Sequence, residues 1–316
     1  MKALVTGASG AIGASLIEQL LAHNFVVRAL LRPSSVREHL SSPIEIFEGE
    51  ITDGESLRRA VDSVDIVFHL AAKLHLNAPS SSLRAEYRSV NAEGTRLLAE
   101  AARAAGVERL IFFSTVNVYG ATGNGKLSDE TSTPRPESIY AETKLEAEKI
   151  VLDTLPSVVL RLAAVYGPRM KGNYPLLVEA LRKGRFVKIG DGSNRRTLVH
   201  AEDVCRAALL VADTRKAIGE IYNVTDGSVH TLNEVIEAIS QALKKSPPRL
   251  RLPVGPARAL AGVLEDGAHI LGIKSPIGRN TIDKLNEDVA VSSKKIEREL
   301  GFEPRVDLLT GWCKTV

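Results

Sequence analysis

The sequence predicts an α/β protein, a doubly wound parallel sheet followed by a smaller C-terminal lobe. Short continuous apolar runs of strand length alternate with amphipathic helical stretches through the first half of the chain, the pattern of a parallel sheet covered on both faces. The first run leads at once into glycines spaced three apart and then into a helix. Beyond Gly167 the alternation breaks up into clusters at Gly167-Pro168, 190–192 and Pro247-Pro248.

In order, Ala3-Leu4-Val5 reads as the first strand, and Ile12, Leu16, Leu20 and Leu21 mark one face of the first helix. Strand-like runs follow at 25–31, 44–47, 66–70, 110–115 and 158–162, with an amphipathic helix over 92–105. His200 and Asp203, just before the helical run 204–211, suit a strand end and a helix cap. In the stretch 257–270, Leu260, Val263, Leu264 and Leu271 are spaced for one helix face, read as core or lid packing rather than a membrane contact. The chain has no repeat or long linker, so the lobe is expected to pack on the first domain and leave a ligand cleft between them.

Composition narrows the functional classes. The 316 residues are 44% hydrophobic and 25% charged, which suits a packed, soluble protein. A formal charge of only +3 argues against a nucleic-acid partner. Cys205 and Cys313 form no CxxC pair and lie in no His-rich context, so no metal site is expected and a reduced, cytoplasmic compartment is the economical reading. No apolar run approaches the ~20 residues that span a bilayer, and no membrane partner is expected.

The stretch Thr6-Gly7-Ala8-Ser9-Gly10-Ala11-Ile12-Gly13 sits between the first strand and first helix. Gly7 and Gly10 let the backbone turn close to a pyrophosphate, Gly13 permits close helix packing, and the helix N-terminus favours negative charge. Residues 1–167 therefore read as a dinucleotide-binding domain, to which about 196–225 returns, and 168–316 mainly as a substrate-binding lobe. After the second strand the chain runs Arg28-Ala29-Leu30-Leu31-Arg32, without the carboxylate that would accept from the ribose of NAD. Arg32 either pairs with the 2′-phosphate of NADP or is a solvated surface arginine. NADP is favoured, and NAD stays open.

Tyr140 and Lys144 lie four apart in a helix-compatible stretch, on one face. A neighbouring ammonium and a cationic nicotinamide favour the phenolate. Alone, this spacing usually marks an amphipathic surface pair. With the glycine turn, however, and with Phe68-His69-Leu70-Ala71-Ala72, Val90-Asn91-Ala92-Glu93-Gly94-Thr95, Phe113-Ser114-Thr115-Val116-Asn117-Val118-Tyr119-Gly120 and Leu160-Arg161-Leu162-Ala163-Ala164-Val165-Tyr166-Gly167-Pro168, the chain resembles the extended short-chain dehydrogenase/reductase family, also called the NAD-dependent epimerase/dehydratase family. The resemblance spans nearly the whole chain and points to its nucleotide-sugar branch.

The resemblance implies a Rossmann-type fold and a set of roles. Tyr140 would be the general acid/base on the substrate oxygen, Lys144 would lower its pKa and bind the nicotinamide ribose, and Thr115 would hydrogen-bond the same oxygen. Gly7, Ser9, Gly10, Ala11, Ile12, Gly13 and Arg32, with Leu70, Ala71 and Ala72, would hold the cofactor. Glu50 and Ile51 would border the adenine, where the family more often has Asp. Asn91 would sit near the active site or be a helix-start residue. Family members commonly form homodimers through the helices here placed at 92–105 and 139–152.

Departures from the family pattern narrow the chemistry. Dehydrating members place an Asp-Glu pair where this chain has Val116 and Asn117, so elimination loses its acid and base. What remains is hydride transfer at carbon 4 of a nucleotide-activated sugar, by a 4-ketoreductase or a 4-epimerase. Asn173 and Arg196 would meet the substrate diphosphate, with Arg279 a weaker candidate; the alternative for Arg195-Arg196 is a surface basic turn. Many epimerases have Asn where Ala164 stands. The runner-up is an NADPH-dependent ketoreductase of a flat, flavonol- or sterol-like substrate, and the last reading is a non-catalytic NADP-binding sensor or scaffold.

Overall fold

The computed structural model describes residues 1–38, 40, 43–74, 81–123, 125–270, 275 and 278–316. The N-terminal half runs β1 (Lys2–Thr6), α1 (Gly13–Ala22), β2 (Val26–Leu31), β3 (Glu45–Glu48), α2 (Gly54–Ala60), β4 (Ile66–His69), α3 (Ser81–Arg88), α4 (Gly94–Ala104), β5 (Arg109–Thr115), α5 (Ile139–Thr154) and β6 (Ser157–Leu162). A π-helical turn, Ser89–Glu93, joins α3 to α4.

The second half runs β7 (Ala164–Tyr166), α6 (Asn173–Arg182), β8 (Lys188–Ile189), β9 (Arg195–Arg196), β10 (Leu198–His200), α7 (Ala201–Asp213), β11 (Ile221–Val224), β12 (His230–Thr231), α8 (Leu232–Ala242), β13 (Arg251–Leu252), α9 (Val254–Ile270), α10 (Arg279–Asn286), α11 (Lys294–Leu300) and α12 (Leu308–Thr315).

Among the described residues, seven strands form one parallel sheet in the order β11-β6-β5-β4-β1-β2-β3. The order reverses beside β1, the switch point at which such sheets bind ligands outside the carboxyl ends of their strands. The apolar runs lack an alternating polar face because both faces are covered. Ala3, Val5, Phe68, Ile111, Phe113 and Leu160 pack on one side with Leu16, Ile17 and Leu20 of α1 and Val204 and Ala208 of α7. Leu4, Val67, Leu110, Phe112 and Val159 pack on the other with Leu57, Leu98 and Val151 of α2, α4 and α5. This is the period of two expected of a strand.

The lobe has its own core around Trp312, which stacks on Tyr166 at 4.7 Å between ring centroids. His200 caps α7 by accepting from Glu202 N, and Asp203 accepts from Arg305 N and Val306 N, tying the C-terminal segment to that helix. The loop after β5 is stitched to the lobe, with Thr122 N donating to Asp288 O and Ser128 N to Ala290 O.

One packing expectation is overturned. Leu260, Val263 and Leu264 of α9 face solvent, and the small side chains of Ala257 and Ala261 make the contact with Ile282 of α10. Leu271 lies outside the described residues.

Candidate active site

The carboxyl edge of the sheet gathers most of the residues singled out from the sequence. Gly7 follows β1 with φ +70°, and a Cβ there would fall 2.7 Å from Ala71 N. A Cβ on Gly13 would fall 2.6 Å from Ala8 O. The turn closes through Gly10 N donating to Gly7 O at 2.9 Å. Ile12 stands at the N-cap of α1 and makes no side-chain cap. The first-turn amides of α1 thus have neither an intrahelical acceptor nor a capping side chain, and with half-buried Ala11 and exposed Ser9 they form a cradle for phosphate. The residues present fit a dinucleotide pyrophosphate.

Leu70, Ala71 and Ala72 continue from β4 beside this turn. Ala71 N donates to Thr6 Oγ1 at 3.2 Å, and Thr6 Oγ1 meets His69 Nδ1 at 2.7 Å. His69 Nε2 meets Thr95 Oγ1 at 2.9 Å, and that hydroxyl donates to Asn91 O at 2.6 Å. One proton order satisfies the whole chain: Thr6 donates to Nδ1, and Nε2 carries the hydrogen given to Thr95. His69 is therefore held neutral, and burial, assisted by the Lys144 charge, lowers its pKa to about 3.

Arg32 and Glu50 lie just past β2 and β3 on the same edge, both exposed, and Arg32 has no ion-pair partner among the described residues. Ile51 is half-buried, its carbonyl oxygen 3.0 Å from the place a Cβ on Gly94 would take.

Thr115 ends β5 and is buried; its Oγ1 accepts from Asn117 N at 3.2 Å, so its own proton stays available. Ser138 caps α5 by accepting from Ala141 N, which sets Tyr140 in the first turn and Lys144 one turn on. Lys144 is buried, with Nζ 3.9 Å from the Phe112 ring centroid. Burial lowers its pKa to about 7, against the opposing pull of the Glu148 carboxylate. Burial, with Tyr87 adding to it, raises the Tyr140 phenol above its ordinary range. Removing both groups from water penalises both charged forms, so the phenolate expected here depends on the nicotinamide charge as well as on the ammonium.

Asn91 is neither a helix-start residue nor free. It lies in the π-helical turn, where Oδ1 accepts from Lys73 N at 2.7 Å and Nδ2 donates to Lys73 O and Thr143 Oγ1. It ties the segment after β4 to the helix that carries Tyr140, a use of π turns common near functional sites.

Behind Lys144 the fold buries a polar network that motif reading did not pick out. Glu148, the next turn of α5, receives two guanidinium nitrogens of Arg161 and the Ser114 hydroxyl. Arg161 Nη1 donates to Tyr119 Oη at 2.8 Å, and Tyr119 donates to Asn223 Oδ1 of β11 at 2.9 Å. The signal in the sequence was the spacing of four from Lys144 to Glu148, which continues the Tyr140 face.

The lobe residues fare unevenly. Asn173 is exposed at the start of α6. Arg196 donates Nη2 to Lys284 O and Leu285 O, and its charge bears on Tyr174, the residue after Asn173. Arg279 pairs with Asp266 and Glu265, at 2.6 and 3.4 Å, in an exposed cluster. Arg195, not Arg196, carries the ion pair of that turn, to Asp288 at 2.8 Å.

Comparison with known proteins follows the same lines. A family model described as the NAD dependent epimerase/dehydratase family matches residues 3–225. The chain is 30% identical, over 97% of itself and 93% of the relative, to a 4-hydroxy-2-methyl-3-oxo-4-farnesyl-3,4-dihydroquinoline-1-oxide ketoreductase of Stigmatella aurantiaca. It is 31% identical, over 96% of itself and 86% of the relative, to a 3 beta-hydroxysteroid dehydrogenase/Delta 5→4-isomerase of Mycobacterium tuberculosis. The structure of the Thermus thermophilus UDP-glucose 4-epimerase complex with NAD matches with a TM-score of 0.79 at 29% identity, covering 100% of this chain and 97% of that one.

Proposed function

Because the chain belongs to the NAD-dependent epimerase/dehydratase family, we propose that it is an NAD(P)-dependent enzyme that transfers a hydride at carbon 4 of a nucleotide-activated sugar, as a 4-ketoreductase or 4-epimerase. The observation that carries this reading is the grouping of Thr115, Tyr140 and Lys144 at the sheet edge that also bears the uncapped glycine turn. A bound nicotinamide dinucleotide supplies the hydride exchange and, when oxidised, a positive charge. Gly7, Gly10 and Gly13 give its diphosphate room, and Arg32 faces the 2′-phosphate of NADP. Glu50 and Ile51 border the adenine, and Ala71, Ala72 and Lys144 line the way to the ribose.

In the reducing direction Tyr140 gives its phenolic proton to the oxygen of the carbonyl. Thr115 donates to that oxygen and, with Tyr140, stabilises its developing charge. Lys144, with its pKa near 7, takes up or releases a proton close to the tyrosine at little cost. Val116 and Asn117 supply no acid or base for eliminating water. Arg196 retains Nε and Nη1 for a diphosphate beside Asn173.

A second reading, an NADPH-dependent ketoreductase of a neutral, sterol- or isoprenoid-like ketone, is favoured by the neutralised Arg279. The 3 beta-hydroxysteroid dehydrogenase and the farnesyl-quinoline ketoreductase lend it support.

The test is mass spectrometry of nucleotide released on denaturation and titration of the stripped protein with NADH and NADPH. Turnover of a 4-keto nucleotide sugar and of a neutral ketone by the wild type and Arg196→Glu follows. The proposal expects tighter NADPH binding, reversed in Arg32→Asp. It also expects Arg196→Glu to lower kcat/KM for the nucleotide sugar by about tenfold or more. Rates on a neutral ketone that ignore Arg196→Glu would transfer the protein to the second reading, and retained NAD would select the 4-epimerase.

A further inference from the structure

Helix α9 is turned inside out. Its inward face is built from Ala257 (4% exposed), Ala261 (2%) and Ala268 (9%), whereas Leu260 (57%), Val263 (69%) and Leu264 (51%) stand in solvent. At 100° per residue, Pro256, Ala259, Leu260, Val263, Leu264 and Gly267 fill one solvent-side arc of about 140°. Arg258, Glu265, Asp266 and His269 all fall outside that arc. The charges at its margins are also spent: Arg258 pairs with Asp283 at 2.8 Å, and Arg279 takes Glu265 and Asp266.

The chain leading into this helix is strongly basic. Residues 244–264 contain five Lys or Arg and no Asp or Glu. Lys244, Lys245, Arg249 and Arg251 are exposed and none has an ion-pair partner among the described residues; Lys245 Nζ donates to Arg182 O and Arg251 Nε to Gly190 O, carbonyls that leave both charges uncompensated. Between the last two stands Leu250, 71% exposed.

An uncharged aliphatic helix face joined to an unpaired cationic segment is the arrangement that lies in a membrane interface. A second copy fits the face less well, because a two-fold interface brings together copies of one surface and so offers the cationic segment no counter-charge. No helix among the described residues is long and apolar enough to cross a membrane, so the contact is peripheral.

We propose that α9 and the basic segment before it dock this protein on an anionic bilayer surface, with Leu250, Leu260, Val263 and Leu264 entering the interface and Lys244, Lys245, Arg249 and Arg251 meeting headgroup phosphates. The proposal stands apart from the reading of the active site, since none of these residues belongs to it.

The test is flotation of the full chain with phosphatidylcholine vesicles, with and without roughly a third phosphatidylglycerol, at low and high salt. Melting and light scattering are recorded in parallel. The full chain is expected to float with the anionic vesicles alone and to be released by salt. Val263→Glu/Leu264→Glu and Lys244→Glu/Arg249→Glu are each expected to reduce binding by about tenfold or more without lowering the melting temperature or solution turnover. A folded full chain that stays off anionic vesicles at low salt would overturn the proposal. So would a stable dimer lost in Val263→Glu/Leu264→Glu without vesicle binding, which assigns the face to a second copy.

Discussion

Behind Lys144, charge is buried and saturated: Glu148 and Arg161 are 1% and 3% exposed and are joined into one network with Ser114 of β5, Tyr119 of the turn after it and Asn223 of β11. Around α9 the charged pairs stand in the open, as Arg279 does with Asp266 and Arg258 with Asp283, and the bulky aliphatic residues of that helix stand there with them. The first arrangement resists displacement because any shift strands a buried charge. The second yields to substitution at little cost.

The sharpest way to break the comparison is at Tyr140. Tyr140→Phe is expected to lower kcat by about 10²–10⁴-fold while dinucleotide affinity, read by titration, stays within a factor of a few. Activity that survives would move the acid/base elsewhere.

Next in size is Glu148→Ala, which leaves the Arg161 charge buried without its carboxylate. A loss of about 3–5 kcal/mol in denaturant unfolding is expected. A loss below 1 kcal/mol would show that the network is no more rigid than the lobe surface.

Lys144 gives a pH signature of intermediate size. Its folded pKa, lowered to about 7 from 10.5, means that the unfolded chain binds the extra proton between those values. Stability contributed by this site therefore rises with pH from about 7 to about 10.5 and is flat below. The melting temperature of the wild type relative to Lys144→Met should climb across that window. A falling difference would mean the ammonium is stabilised, not penalised, by its surroundings.

The smallest effect belongs to Arg279→Ala, in an exposed cluster. Stability should change by no more than about 1 kcal/mol, and kcat/KM for a nucleotide sugar should stay within about twofold. A tenfold fall in kcat/KM would return Arg279 to the diphosphate site and blur the contrast.

The readable part of the site was local. The glycine turn and the Tyr140–Lys144 spacing depend on a few neighbouring residues, and the strands on short apolar runs, so both stand in the sequence. The partners that the sequence did not show are long-range. Asn91 takes its partners from Lys73 and Thr143, 18 and 52 positions away, and Arg279 pairs with residues 13 and 14 positions away.

The sequence by itself determined the succession of β1 to β6 and the glycine turn, because each depends on residue type at short spacing. Only the tertiary structure decided that β11 closes the sheet beside β6, that Glu148 and Arg161 meet 13 positions apart, and that the aliphatic face of α9 looks outward. Periodicity says which residues share a helix face, but what covers that face is a property of the other elements, and no spacing along one helix can encode it.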